Sequence, residues 1–349
     1  MRQPIPAARV TSSNPTSNPP RATVIDVARA AGVSPSTVSR ILNSSAGVAP
    51  EKRAAVDAAI RELDFRPNAS ARSLKTGTTM TIGVVVQDLE SLFFTRVLSG
   101  VEQRLSAGGY VPVTVSGGWN ATREAERIRV LMDRRIDGLV VVCGHIADAA
   151  LAEFARRRPI ALVGRELAVP RMASKWLDQV EVGYIATQHL LQLGHRRIAH
   201  LGGPLDQLDA VQREAGWRRA LREAGIEPDP RLVVQSDFTE TGGLLAMQRL
   251  LDNAPPFTAV FAANDQSAYG ASVALYRRGV RVPDNVSLVG VDDLRASSFV
   301  TPALTTVRQP LHEMGRYAAE ALLHMLGQCD APADVPPLEL VIRETTKRL

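Results

Sequence analysis

The chain has 349 residues, 45% of them hydrophobic, which is enough for one small and one large domain or for two or three lobes, and excludes wholesale disorder. Its longest apolar runs, such as Ile82–Val86 and Gly138–Cys143, are strand-sized, so no membrane span is expected, and the first residues hold no continuous apolar stretch that reads as a secretory signal. The net charge of +5 is unevenly placed: residues 1–76 carry 11 Lys and Arg against 5 Asp and Glu, and the remainder 30 against 31, so the whole basic excess lies where it can attract a phosphate backbone.

In chain order, residues 1–20 are Pro, Ser, Asn and Thr with little to bury, and read as a flexible leader. Residues 21–65 carry three short helical patterns. Thr23 is placed to cap the first, with Asp26 near the positive end of its dipole, and Val24, Val27, Ala28 and Ala31 form one narrow apolar face. Gly32 supplies a sharp turn. Ser34 caps the second helix and Pro35 occupies its first position, where a missing N–H costs nothing. Val38, Ile41 and Leu42 face inward there, which leaves Pro35, Ser36, Ser39 and Arg40 outward. Small outward residues allow close approach to a major groove, and Arg40 has the reach for the N7 and O6 acceptors of guanine. A third helix starts near Pro50, with Val56, Ile60 and Leu63 closing a small core. Residues 66–77 (RPNASARSLKTG) read as a hinge too short to be a stable helix alone.

From Thr81 the texture changes. Strand-like runs at Ile82–Val86, Tyr110–Val115, Leu139–Val142, Ile160–Val163, Ile198–Leu201, Ala259–Ala262 and Ser287–Val291 alternate with helical segments. Uninterrupted β-rich runs mean strands buried on both faces, hence parallel sheets flanked by helices. So many βα units exceed one open sheet, and two doubly wound lobes fit better.

Three stretches resemble the lac/galactose/purine repressor family: TVIDVARAAGVSPSTVSRILN (23–43), AIRELDFRPNASARSLKTG (59–77) and TPALTTVRQP (301–310). The resemblance covers almost everything after Arg21. It implies a bacterial, cytoplasmic transcription regulator, at the nucleoid when bound to its operator: a helix-turn-helix domain (21–65), a hinge (66–77) and a two-lobed periplasmic-binding-protein-like core (78–349). The N-lobe would comprise about 80–180 and 310–336, and the C-lobe about 181–309 and 337–349. The implied partners are double-stranded, pseudo-palindromic operator DNA, a small-molecule effector (sugar, sugar acid or purine-like) and a second copy of the chain. By position, Pro35, Ser36 and Arg40 match the family's base-reading residues, and Leu74 matches a wedge that enters the minor groove beside Lys75. Thr23, Ser34, Thr37, Ser39, Asn43 and Arg72 complete the candidate DNA-contacting set.

Effector candidates follow the strand runs, because ligands of doubly wound sheets bind outside the strands' carboxyl ends. Phe93 and Phe94 follow the first strand and match aromatic positions of the family. Arg165 follows Ile160–Val163, Asn264 and Asp265 follow Ala259–Ala262, and Asp292 follows Ser287–Val291. Arg213 matches the family's effector-binding Arg, and Trp217 and Phe238 complete the set. The segment Asp178–Tyr184 departs from the family, which often has Asn where this chain has Gln179, at a typical inter-lobe polar contact.

Cys143 and Cys329 stand alone and read as buried or incidental thiols of a reducing cytosol. Nucleotide-loop, zincin and nucleophile-elbow motifs are missing, and His195 lacks a partner that would make it a base, so no enzyme, metal or cofactor is expected. Two rivals remain: a binding protein without DNA function, which residues 21–76 argue against, and an α/β enzyme, which the missing motifs argue against. A dimer is expected rather than a tetramer, since no apolar heptads follow Arg343–Thr346.

Overall fold

The computed structural model describes residues 22–42, 47–65 and 77–349 and divides into two compact units at Thr79/Met80. The leader, Asn43, Arg72, Leu74, Lys75 and nearly all of the hinge lie outside the described residues.

In the first unit, α1 (Val24–Ala30), α2 (Pro35–Leu42) and α3 (Pro50–Glu62) close on one core. The Thr23 hydroxyl accepts the Asp26 N–H at 3.4 Å, and the Asp26 carboxylate accepts the Thr23 N–H at 2.9 Å, a capping box that sets where α1 begins. Gly32 turns the chain at φ 64°, where a side chain would be strained, and the Ser34 hydroxyl accepts the Thr37 N–H at 3.2 Å. Val27, Val38 and Val56 are fully buried, one from each helix, with Ala28, Ile41, Ala59 and Phe65 around them.

The second unit holds two sheets. β1 (Thr81–Val86), β2 (Val111–Ser116), β3 (Gly138–Val142), β4 (Ile160–Val163) and β5 (Met172–Lys175) form one in the order β2-β1-β3-β4-β5, all parallel. α4 (Leu92–Ala107), α5 (Ala121–Asp133) and α6 (Asp148–Arg157) connect its strands. The other sheet contains β6 (Ile198–Gly202), β7 (Val233–Gln235), β8 (Ala259–Ala262), β9 (Ser287–Asp292), β10 (Thr305–Arg308) and β11 (Glu339–Val341) in the order β11-β10-β9-β8-β6-β7. Only β11 runs antiparallel there, against β10. α7 (Gln179–Gln192), α8 (Leu208–Glu223), α9 (Glu240–Asn253) and α10 (Asp265–Arg277) pack on it, while α11 (Leu311–Met325) returns to the first sheet and buries Leu311, Met314 and Leu322 beside Val97 and Val101 of α4. The chain therefore crosses between sheets before α7, after β10 and after α11.

Three of the four strands the composition leaves unread share a physical reason. β5, β7 and β11 are sheet edges, half-buried or exposed, so they lack the apolar runs of inner strands. β10 is an inner strand, but its buried Thr305 and Thr306 are held by hydrogen bonds rather than by apolar packing.

Three helix pairs cross at reciprocal glycines: Gly100 with Gly315, Gly183 with Gly216, and Gly243 with Gly270. At Gly183 an added Cβ would sit 2.1 Å from the Arg213 carbonyl oxygen, so this crossing fixes α8 against α7. Gly183→Ala should therefore destabilise the unit by about 1–3 kcal/mol, the usual range for overpacking. Gly108→Ala, whose Cβ would meet nothing closer than 3.4 Å, should be near neutral in the same denaturant-unfolding measurement.

Candidate functional site

The first unit presents the outward face of α2. Pro35, Ser36 and Arg40 are exposed, as are Thr23 and Ser34, while Thr37 and Ser39 are half-buried. The Ser34 hydroxyl lies 2.8 Å from that of Ser36 and 2.9 Å from that of Thr37, so the first turn is preorganised, and no acidic residue opposes its positive end. Arg40, in the last turn, is the helix's own cation and points to solvent. Such a face offers short polar side chains and one long guanidinium to a groove.

In the second unit a cavity of about 440 Å³ opens between the lobes, within the range of small-molecule sites. The N-lobe contributes Asp88, Phe93, Phe94, Trp119 and Cys143, from the segments that follow β1, β2 and β3. The C-lobe contributes Asp209, Arg213, Phe238, Asn264 and Asp292, among others, from the segments after β6, β7, β8 and β9. The wall is at once aromatic and carboxylate-rich. Four of its residues hold left-handed backbone, Trp119 (φ 53°), Cys143 (φ 57°), Phe238 (φ 66°) and Asp292 (φ 112°), a clustering of strain typical of sites where geometry is held for function.

Behind the cavity runs a buried hydrogen-bond chain. Arg213 Nε donates to Gln179 Oε1 at 2.9 Å, Gln179 Nε2 to Gln309 Oε1 at 2.9 Å, and Gln309 Nε2 to Asp292 Oδ1 at 2.6 Å. Arg213 Nη1 also donates to the Ala263 carbonyl at 2.6 Å. All four side chains are nearly inaccessible. Gln179 opens α7 and Gln309 follows β10, so both sit where the chain crosses between lobes. The departure at Gln179 thus keeps a polar link at the crossovers, because the longer amide both accepts from Arg213 and donates to Gln309.

Burial pushes the Asp292 carboxyl up to about 6 despite the Arg213 charge and the Gln309 bond. Asp265 is pushed up to about 8 by burial and by the neighbouring Asp292 charge. Asp265 accepts from Leu294 N–H, Ser297 Oγ and Thr306 Oγ1 at 2.6–2.8 Å, so it ties β10 and the segment after β9 together.

Of the effector candidates, Phe93, Phe94, Arg213, Phe238, Asn264 and Asp292 come together on the cavity wall. Arg165, Trp217 and Asp265 do not line it. Arg165 donates to the Ile146 carbonyl and pairs with Asp148 at 3.5 Å, bracing the start of α6. Trp217 is fully buried in the C-lobe core, stacked 5.9 Å from the His200 ring, and Asp265 is the internal tie just described. Sequence reasoning missed Trp119, Asp209 and Cys143. The strand-end rule points to Trp119 and Cys143, whose thiol forms part of the wall. His195 has a structural part, bonding Thr258, Ser287 and the Lys347 carbonyl.

A capped helix-turn-helix joined to a two-lobed ligand-binding core defines a class, and comparison with known proteins places the chain in it. Residues 23–68 match the bacterial regulatory proteins of the lacI family, and residues 187–346 match a periplasmic binding protein-like domain. The chain is 36% identical over 335 residues to the HTH-type transcriptional repressor PurR of Vibrio atlanticus, spanning 94% of this chain and 99% of that protein. It is 36% identical over 318 residues to the ribose operon repressor of Escherichia coli K12, spanning 88% and 94%. The structure of the lac repressor dimer bound to operator and the anti-inducer ONPF superposes with a TM-score of 0.83 at 29% identity, covering 93% of this chain and 99% of that one. The chain belongs to the lacI family of bacterial regulatory proteins, and it is a DNA-binding transcriptional regulator rather than an enzyme.

The two raised carboxyls carry a pH signature. Both keep protons in the fold at pH values where free carboxyls, with an ordinary value of 3.8, have lost them. These two carboxyls bind more protons in the folded state than in the unfolded one, so their contribution to stability falls as pH rises toward about 8. Burial lowers His189, His195 and His200, which act in the opposite sense until their imidazoles are neutral in both states. The melting temperature should therefore decline above the histidine range, between about pH 7.5 and 8.5, and Asp265→Asn, which mimics the protonated form, should flatten that decline. A wild-type melting temperature that climbs with pH over this upper range contradicts the assignment.

Proposed function

We propose that the chain acts as a homodimeric repressor on double-stranded, pseudo-palindromic operator DNA, with an effector (a sugar, sugar acid or purine-like metabolite) bound in the cavity between the lobes. It works in the cytoplasm, at the nucleoid when bound to its operator. The observation that carries this reading is the buried chain Arg213–Gln179–Gln309–Asp292, which starts and ends on the cavity wall and passes through two lobe crossovers. A ligand touching Arg213 or Asp292 competes with these bonds and biases how the lobes sit. Such a ligand shifts operator affinity only by its differential affinity for the two states. The PurR and ribose operon repressors named above, and the lac repressor as a dimer on its operator, support the same reading. No described helix is long and apolar enough to cross a membrane.

Operator DNA would be read by Pro35, Ser36 and Arg40 of α2. Thr23, Ser34, Thr37, Ser39 and Asn43 would position the domain, and Arg72, Leu74 and Lys75 would engage the minor groove. Arg40→Ala should cost about 1–3 kcal/mol of discrimination at one base pair in each half-site. Leu74→Ala should weaken specific operator binding and reduce bending while leaving effector affinity intact. Arg213→Ala should do the reverse: operator binding survives, and effector affinity drops by about 1.5–3 kcal/mol. Fluorescence-anisotropy titrations of a labelled operator at fixed salt, with and without effector, check all three. An Arg213→Ala protein that responds at wild-type effector concentrations removes the cavity from the mechanism.

A further inference from the structure

The cavity has an unbalanced charge. Six carboxylates line it, Asp88, Glu90, Asp209, Asp237, Glu240 and Asp292, against one cation, Arg213. Most of these acids are already engaged. Asp88 accepts the Glu90 N–H at 2.8 Å, Asp237 the Thr239 N–H at 3.0 Å, Glu240 the Gln266 amide at 3.0 Å, and Asp292 the Gln309 amide. Glu90 stands exposed. Asp209 differs. It is half-buried in the wall in the first turn of α8, and among the described residues none hydrogen-bonds its carboxylate or pairs with it as an ion. Desolvation holds its carboxyl above the usual range, against the pull of Arg213 one turn along. The one guanidinium that could grip an anion is committed to Gln179 and the Ala263 carbonyl, with the Phe238 ring centroid 5.8 Å from its carbon.

An anionic ligand entering this space meets like charges on several sides and, among the described residues, no free cation. A ligand with hydroxyls all around a ring meets acceptors on several sides and aromatic faces at Phe93, Trp119 and Phe238. A purine base donates from one or two edges only, which leaves more of these acceptors unmet. Resting on the effector-sensing reading above, we propose that Asp209 is the charge-selecting residue of the cavity: it accepts hydrogen bonds from an uncharged polyhydroxylated ring and rejects the carboxylate or phosphate form of the same ring.

The test uses the full chain and matched probes: D-ribose with ribose 5-phosphate, D-glucose with gluconate and glucose 6-phosphate, D-galactose with galactonate, and hypoxanthine. Binding is followed by calorimetry and by melting temperature, for wild type and Asp209→Asn. Without ligand, Asp209→Asn should melt about 2 °C higher, because it removes a desolvated charge that has no partner. An uncharged sugar that binds should do so at least about tenfold more tightly than its anion, and Asp209→Asn should weaken it about tenfold while narrowing that ratio. Equal or tighter binding of an anion, binding of hypoxanthine in preference to every sugar, or a lower melting point for ligand-free Asp209→Asn overturns the proposal. So does a panel in which nothing binds and the variant's melting is unchanged. Binding with the expected selectivity but no change in operator affinity upholds the role of Asp209 and sinks the regulatory reading instead.

Discussion

The hydrogen-bond chain from Arg213 through Gln179 and Gln309 to Asp292 is the constraint on which the sensor unit depends. A guanidinium and a carboxylate are both buried behind an open cavity, and neither tolerates burial unpartnered, since isolated buried charges cost several kcal/mol each. A direct ion pair would satisfy them but would close the cavity wall on itself. Two glutamines hold the opposite charges apart instead, each amide giving one bond and taking one. Because Gln179 and Gln309 sit at lobe crossovers, the same bonds that keep the wall open define how one lobe meets the other.

This arrangement requires close helix packing. Arg213 reaches Gln179 because α8 lies against α7 at Gly183 and Gly216, with no side chain at the crossing. Tyr184 and Glu223 bond across the outer side of the same pair at 2.7 Å, and Arg219 lies 4.2 Å from the Tyr184 ring centroid, so the pair is clamped on both sides. Left-handed backbone recurs on the cavity wall, at Trp119, Cys143, Phe238 and Asp292. The carboxyl ends of parallel strands supply such positions, because the chain must turn there from strand to helix. Protons add a further coupling: the Asp292 charge makes Asp265 hold its proton more firmly, and the Asp209 charge does the same to Asp292.

The DNA-facing unit solves a different problem with fewer residues. A core of this size has little apolar area to bury, so the exact start of each helix matters. The capping box at Thr23, the Gly32 turn and the Ser34 hydroxyl set those starts through local hydrogen bonds, and buried valines from three helices lock them together. What remains outward on α2 is short and polar apart from Arg40, which is the property a groove-reading surface needs.

Most of this was legible in the residues alone wherever the determining forces are local. Caps, the glycine turn and the apolar spacing of Val24, Val27, Ala28 and Ala31 act over a few positions, and the inner strands other than β10 announce themselves because both their faces are buried. Phe93, Asn264 and Asp292 were likewise found by position, as residues just beyond strand ends. Tertiary structure decided the rest. Trp217 and Arg213 share one helical face four residues apart, yet the face runs from cavity wall into core within that turn, and only the packing of α8 says where. Asp265 and Asp292 look equivalent as acids after strands, but the threonine and serine hydroxyls that claim Asp265 arrive from residues 32 and 41 positions away. Asp209 carries no motif at all. Its isolation is a property of what the fold fails to bring near it, which depends on every neighbouring element at once and so has no signature along the chain.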